Sequence, residues 1–216
     1  GPQTAEYTPR MVQETKDLFD LMGVSWTEAP MEAEGAAAVM CSRGEVAAVA
    51  SQDWDTLLYG SPVMVRNLTS HGTRRFGRTL TAERISLVET LDAHGISREQ
   101  LVDLGIMVGT DFHPGIKGIG PKTGLKLIRK HGTMESIAQE KGFDLPDDLT
   151  SIRSLFMNHP ANEERIAGPG KAVEEGLLSF LQEERGFGEG RMKRALGRLA
   201  AAGRLRSANQ PSLFDF

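Results

Sequence analysis

The chain has 216 residues, of which 39% are hydrophobic and 25% charged, values that allow one or two globular domains and exclude a wholly disordered chain. No apolar run approaches the roughly 18 residues that a membrane span needs, and the sequence does not start with a basic stretch followed by an apolar one. We therefore expect neither a membrane segment nor a signal peptide. The single cysteine, Cys41, excludes an internal disulfide framework and a thiolate zinc site, and is typical of a reducing intracellular compartment.

The net charge of −4 conceals a segregation of acidic and basic residues along the chain. Residues 28–55 contain six acids and one base, whereas residues 112–134 contain five bases and no acid. Two further stretches, 66–78 and 185–206, are dominated by arginine and lysine. A single run of this kind would more simply be a solvated helix face. Together they indicate a cation site beside a surface that binds a polyanion.

The apolar pattern predicts an α/β fold with a mostly parallel sheet, followed by a helical region. Thr8 and Pro9 predict the start of the first helix, and Gly23 its end. Up to residue 110 we expect short strands and helices in alternation, with strands at 24–26, 46–50 and 63–68 and helices at 9–22, 30–44 and 98–108. From Asp111 onward only helices are predicted, at 121–130, 133–140, 148–157, 171–184 and 189–202.

Two pairs of carboxylates stand at predicted element boundaries. Asp53 and Asp55 follow the strand at 46–50, and alternate residues of an extended segment point the same way. Glu32 and Glu34 begin a helix, where they converge only if the first lies in the irregular entry turn. Oxygen ligands favour Mg²⁺ or Mn²⁺, and two such ions about 3.5–4 Å apart recur in phosphodiester cleavage. One pair alone would more simply be surface solvation; two pairs favour a cation site.

The segment Gly115–Lys122 is glycine-rich and basic. Gly118 and Gly120 allow a tight hairpin with open backbone amides, and the proline that follows predicts a helix start. Free N–H groups at such a start bind phosphate, and Lys122 and Lys126 add positive charge there. This pattern is typical of a helix-hairpin-helix that binds DNA without reading bases. The alternative is a plain glycine-rich turn.

The last residues form a polar tail that carries large apolar side chains. A short turn with apolar anchors at fixed offsets is typical of a peptide that docks in a groove. The alternative is that the tail packs on its own domain. The residues of interest are Gln210, Leu213, Phe214 and Phe216.

In order and spacing, these motifs closely resemble those of flap endonucleases, the archaeal and eukaryotic structure-specific 5′ nucleases. The matching segments are 28–36, 51–62, 108–112 and 115–122. The resemblance implies a PIN-like α/β nuclease core and a two-metal site for Mg²⁺, for which Mn²⁺ can substitute. The implied metal ligands, which act directly or through water, are Glu32, Glu34, Asp53, Asp55 and Asp111.

The resemblance also implies how DNA and a protein partner are bound. The hairpin grips the downstream duplex backbone and often holds a K⁺ ion; the residues concerned are Gly115, Lys117, Gly118, Gly120, Lys122 and Lys126. The tail is similar to the box that binds the sliding clamp PCNA, with Gln210, Leu213 and Phe216 at its glutamine, aliphatic and aromatic positions. The second terminal aromatic of that box has no counterpart, for which Phe214 partly compensates.

One departure from the family concerns its first strand and most of its helical arch. In the family these precede the matching region, as do two further metal-site aspartates, the first of them on that strand. The arch carries a catalytic lysine and arginine, and residues 1–30 provide none of these groups. We therefore interpret the sequence as the C-terminal two-thirds of such an enzyme. Its predicted regions are the rest of the α/β core (1–110), a helical DNA-binding region (111–206) and a clamp-binding tail (207–216).

The implied function is that of a 5′ flap endonuclease and 5′–3′ exonuclease of DNA replication and repair, acting on DNA with a 5′ flap or a nick. We expect an intracellular, DNA-associated protein, cytoplasmic in a prokaryote or nuclear in a eukaryote. With two aspartates absent, we expect this chain alone to be weakly active or inactive. The alternative is a non-catalytic DNA- and clamp-binding module, or one half of a split nuclease whose N-terminal part is a separate chain.

Overall fold

The structure is a computed structural model that describes residues 8–70, 72–75 and 77–208. The described chain forms two compact units: one comprises residues 8–28 together with residues 164–208, and the other is Ala29–Glu163. The three functional regions predicted from the sequence stay a prediction. The predicted clamp-binding residues lie outside the described part of the chain; they are Gln210, Leu213, Phe214 and Phe216.

Short strands and helices alternate along the first half of the chain, and helices follow. The described helices are α1 (Pro9–Met22), α2 (Ala33–Ser42), α3 (Asp55–Leu58), α4 (Leu87–His94), α5 (Arg98–Val108), α6 (Pro121–His131), α7 (Met134–Lys141), α8 (Leu149–Met157), α9 (Glu174–Leu177) and α10 (Glu189–Ala208). The described strands are β1 (Val49–Ala50), β2 (Val63–Arg66), β3 (Arg74–Arg75), β4 (Arg78–Thr79) and β5 (Glu83–Ser86). A 3₁₀ turn spans Leu68–Ser70, and a π-helical segment spans Leu178–Glu183.

The main sheet has the order β1-β2-β5, and helices flank it, which confirms the predicted α/β class. β1 and β2 are parallel, with Val49 opposite Met64, whereas β2 and β5 are antiparallel, with Met64 opposite Ile85. The described sheet is therefore mixed rather than mostly parallel. The difference arises from β5, which the apolar pattern does not predict because Ile85 is the one apolar residue among its four. β3 and β4 form a separate two-stranded hairpin.

Local capping signals explain why several helix boundaries agree with the sequence. The Thr8 hydroxyl accepts a hydrogen bond from the Met11 N–H, and Gly23 ends α1 in the left-handed region with φ of 68°. α5 begins with a reciprocal capping box between Ser97 and Gln100. Three expectations fail. Residues 24–26 form no strand, the predicted strand at 46–50 shrinks to β1, and the predicted helix at 171–184 is split into α9 and the π-helical segment.

The core of the Ala29–Glu163 unit lies among α5, α6, α7 and α8. Its fully buried side chains include Ile106, Ile128, Ile137 and Phe156. Tyr59, just after α3, joins this core with its ring centroid 4.9 Å from that of Phe156. Through Tyr59, the core fixes the end of the short helix α3. This helix begins at Asp55, one of the predicted metal ligands.

The other unit is held together by contacts between α1 and the segment around α9. The Val173 N–H donates to the Leu21 carbonyl at 2.7 Å, and Leu177 and Met192 are buried. Within the described residues of the chain, no helix combines the length and apolarity needed to cross a membrane.

Candidate functional site

Asp53 and Asp55 lie in a tight turn between β1 and α3. The Asp53 N–H donates to the Ser51 hydroxyl, and the Asp55 N–H donates to an Asp53 carboxylate oxygen, both at 3.0 Å. Asp53 thus helps to start α3, and Asp55 is the first residue of that helix. The two carboxylates are brought together by a turn into a helix, not by the extended segment that the sequence analysis assumed.

Glu32 and Glu34 lie at the start of α2, as the sequence predicts. Glu32 is the N-cap residue with an extended backbone, and Glu34 is in the first helical turn, so the first of the pair does lie in the entry turn. The next residue, Gly35, packs on the buried ring of His159; a Cβ there would lie 2.5 Å from the ring. This close packing fixes the start of α2. No sequence motif indicates His159, because nothing local connects it to α2.

The predicted carboxylates act on one another electrostatically. The pKa of the Asp55 carboxyl is raised to about 6, first by burial and then by the negative charges of Asp53, Asp111 and Glu34. Asp55 is half-buried, whereas Asp53 and Asp111 are exposed. The structure therefore places Glu34, Asp53 and Asp111 close enough to Asp55 for their charges to act on it, in what we call the acidic region.

Glu32 is connected to the same region through its electrostatic interaction with Tyr59. Burial raises the pKa of the Tyr59 hydroxyl, and the charge of Glu32 is the next contribution, followed by the carboxylate of Asp55. The Tyr59 ring also meets His159 edge-on, with centroids 4.9 Å apart. Tyr59 is therefore a buried residue next to the acidic region. No sequence motif indicated this position.

The donor set fits a hard divalent cation, since it consists of carboxylates whose mutual repulsion a cation relieves. The spacing is wider than coordination requires. Within residues 8–70, 72–75 and 77–208, no three His, Cys, Asp or Glu side chains are grouped closely enough to hold a metal ion. The acidic region is therefore chemically suited to a cation, but its side chains are not drawn together as ligands.

The glycine-rich hairpin forms between α5 and α6. Gly115 has φ of 86°, and a Cβ there would lie 2.5 Å from the Val108 carbonyl oxygen, so only glycine fits. Gly118 has φ of 85° and faces open space. α6 begins at Pro121 with Gly120 as N-cap residue and without a side-chain cap. The predicted basic side chains on this side are all exposed: Lys117, Lys122 and Lys126.

The comparisons agree with the motifs and the fold. A family model for the XPG I-region matches residues 23–111. Flap endonuclease 1 of Methanoculleus marisnigri is 42% identical over 200 residues, which are 91% of this chain and 59% of that protein. The solved flap endonuclease-1 from Methanococcus jannaschii is 34% identical, with a TM-score of 0.80, over 94% of this chain and 62% of that one.

A more distant solved structure, the catalytic core of Rad2 in complex with DNA substrate, shares the fold. It is 20% identical with a TM-score of 0.77, over 90% of this chain and 69% of that one. The chain spans about three fifths of the length of the curated relatives that it matches.

Proposed function

We propose that the chain is a member of the flap endonuclease family and part of a structure-specific 5′ flap endonuclease of DNA replication and repair, which also acts as a 5′–3′ exonuclease. The observation that carries the proposal is the mutual charge interaction of Asp55 with Glu34, Asp53 and Asp111. These carboxylates come from α2, the turn after β1, the start of α3 and the loop after α5. Such a convergence of like charges is stabilised when cations lie among them.

The proposed ligands of two Mg²⁺ ions, or of Mn²⁺ in their place, are Glu32, Glu34, Asp53, Asp55 and Asp111. Bound there, the metal would supply an activated water and positive charge for the phosphodiester bond. The chain's own part is to hold these carboxylates in place. Asp53 does so by accepting the Asp55 N–H, and the packing of Gly35 on His159 does so for the start of α2.

The proposed DNA-binding surface is the hairpin with the start of α6. Its support is the open amide surface at Gly118, the uncapped helix start at Pro121 and the exposed lysines around them. The substrate proposed for this surface is a duplex with a 5′ flap or a nick. A K⁺ ion at the hairpin belongs to the same proposal and rests on family resemblance alone.

Two further parts of the proposal rest on sequence pattern alone. Residues 207–216 would bind the sliding clamp PCNA, and residues 1–110 and 111–206 would serve as nuclease core and DNA-binding region. A separate N-terminal chain would be a partner if the enzyme is split. The proposed place of action is on DNA inside the cell.

The test is cleavage of a labelled double-flap DNA in Mg²⁺ and in EDTA. We expect weak cutting at the flap junction that EDTA and Asp53→Asn both remove, since Asn keeps the hydrogen bond to Asp55 but loses the charge. Asp92→Asn is the matched control, because Asp92 is an exposed acid on α4 outside the acidic region.

Cutting that persists in EDTA or in Asp53→Asn would contradict the metal-dependent mechanism. Flap-DNA binding without any cutting would favour the alternative function, a non-catalytic DNA- and clamp-binding module. Absence of both binding and cutting would reject the proposal.

A further inference from the structure

An exposed tryptophan lies between two of the proposed metal ligands. Trp54 separates Asp53 from Asp55 and is 51% exposed. The guanidinium carbon of Arg66 lies 4.2 Å from the centroid of the Trp54 ring. A guanidinium over an indole face at this distance is a favourable cation–π contact, and indole is the best of the aromatic partners. The side chain of Trp54 is therefore held by a residue far along the chain.

Arg66 reaches Trp54 because β1 and β2 are parallel neighbours. Ala50 pairs with Val65, and the Ser51 N–H donates to the Val65 carbonyl at 3.2 Å, so the ladder extends to the start of the turn. Arg66 is the last residue of β2. It thus stands beside the turn at the same edge of the sheet.

The hydrogen bonding of Arg66 is incomplete. Its Nε is buried, and the described residues provide no hydrogen-bond partner for it. A buried donor without a partner costs free energy, so its presence calls for an explanation. The ring of Trp54 provides a compensating contact for the guanidinium, but only if Arg66 keeps this position.

The turn from Ser51 to Asp55 is linked internally by hydrogen bonds. The Ser51 hydroxyl accepts a hydrogen bond from the Asp53 N–H, and the Asp53 carboxylate accepts one from the Asp55 N–H. Because Trp54 lies inside this chain of bonds, fixing its ring restricts the carboxylates on either side.

We propose that Arg66 is a positioning residue which, by stacking on Trp54, limits the motion of the Asp53–Asp55 turn and thereby favours binding of a divalent cation by its carboxylates. This inference rests on the proposed function, since it concerns the same acidic region. Residues that support metal ligands without touching the metal typically change its affinity by about 10–100-fold when replaced. Arg66 has no place in the motifs of the acidic region, and its only sequence signal is the basic stretch at 66–78.

The test is Mn²⁺ binding to the full chain without DNA, measured by electron paramagnetic resonance of the free ion. Arg66→Met should weaken Mn²⁺ binding by about tenfold or more. Arg84→Met is the matched control, since Arg84 lies on β5 opposite Val65 and its loss changes the net charge equally. We expect no change there. Arg66→Lys, which keeps a cation over the ring, should restore part of the affinity.

A second readout follows the stack itself. The chain has two tryptophans, so Trp26→Phe leaves Trp54 as the sole fluorophore. In that background, Arg66→Met should make Trp54 easier to quench with acrylamide, whereas Arg84→Met should not. If Arg66→Met unfolds the chain, two variants of Trp54 test the same stack. Trp54→Leu, which removes the aromatic ring, should weaken Mn²⁺ binding, whereas Trp54→Phe, which keeps a ring, should not.

Unchanged Mn²⁺ affinity in Arg66→Met, with the variant folded, would overturn the inference. So would weaker DNA binding at unchanged Mn²⁺ affinity, because Arg66 would then contact the DNA itself. If the parent chain binds no Mn²⁺, the metal site of the proposed function fails, and the inference fails with it. A parent that binds Mn²⁺ equally well with and without Arg66 rejects the inference alone.

Discussion

Arg98 is a half-buried cation that links the ends of two helices. Its Nη2 donates to the carbonyl oxygens of Tyr59 at 2.9 Å and of Phe156 at 2.8 Å, near the ends of α3 and α8. Burial lowers the pKa of this guanidinium. Gly60 makes room for it, since a Cβ at Gly60 would lie 2.4 Å from the Arg98 Cζ. The position of α3, and hence of Asp55, depends on this contact.

We therefore expect Gly60→Ala to destabilise the fold by about 2 kcal/mol or more, because backbone strain at φ of 85° adds to a clash with Arg98. Gly95→Ala is the matched control. Its φ is 59° and a Cβ there meets nothing within 4 Å, so strain alone should cost about 1 kcal/mol. Urea unfolding measures both variants. Equal losses would show that the Arg98 contact adds nothing.

Arg153 forms a second link, between α5, α7 and α8, and is partly buried. Its Nε donates to Asp103 at 2.6 Å, and its Nη1 donates to Glu135 at 2.5 Å. Asp103 also accepts the Met134 N–H at the start of α7. The hydrogen bond from Arg153 is the main reason that the pKa of Glu135 is lowered to about 2.

This pKa predicts a pH dependence of stability. The pKa of Glu135 is lower in the folded chain than its ordinary value of 4.5, so the pair stabilises the fold above pH 4.5 and loses this effect as the pH falls towards about 2. The Glu135 side chain is 49% exposed, which limits the effect to below about 1 kcal/mol. Urea midpoints of the parent should exceed those of Glu135→Gln at pH 7 and converge with them near pH 2. A constant difference would contradict the assignment.

At the scale of single elements, the hairpin before α6 is the clearest case of agreement between sequence and structure. Gly115 and Gly118 both adopt positive φ, and α6 starts at the predicted proline. The agreement arises because glycine and proline act on the backbone at their own positions, without help from distant contacts.

The hairpin yields a DNA-binding prediction with a matched control. Gly118 and Gly132 both have φ of 85° and open space around the Cβ position, but only Gly118 lies in the hairpin. Gly118→Val should weaken duplex binding by about tenfold, as the loss of one charge-assisted hydrogen bond implies. Gly132→Val, with the same strain after α6, should leave it unchanged. Fluorescence anisotropy with a labelled duplex measures this. Equal effects would remove the hairpin from the proposed DNA contact.

The strands show the opposite case. β1 has two residues, too few for a period to show, and β5, with Ile85 as its one apolar residue, exists through its antiparallel pairing with β2. Pairing partners lie far apart in the chain, so the mixed sheet could not be derived from local patterns. The predicted strand at 24–26 fails for the same reason, since its residues have no strand beside them among the described elements.

At the scale of the whole molecule, the predicted functions divide between separate stretches of chain. The carboxylates and the hairpin all lie within Ala29–Glu163, a compact unit with its own core. The predicted clamp-binding tail, residues 207–216, begins at the end of α10. The two proposed binding functions should therefore be separable by mutation.

Removal of residues 207–216 should abolish binding to PCNA and leave duplex binding unchanged. A tail of the same composition in scrambled order is the control, because it keeps the charge and length. Isothermal titration calorimetry with PCNA and anisotropy with duplex DNA measure the two activities. Clamp binding that survives the deletion would show that the tail assignment is wrong.

The sequence by itself determined the α/β class, most helix boundaries, the hairpin and the carboxylates of interest, because caps, glycines, prolines and motif spacing act over a few neighbouring residues. Tertiary structure alone decided how near those carboxylates lie to one another and which residues support them. Three contacts show this: the charges that act on Asp55, the stack of Arg66 on Trp54, and the packing of Gly35 on His159. The last of them joins residues 124 positions apart in the chain. Contacts over such distances depend on how the elements pack around a common core, which no local pattern specifies.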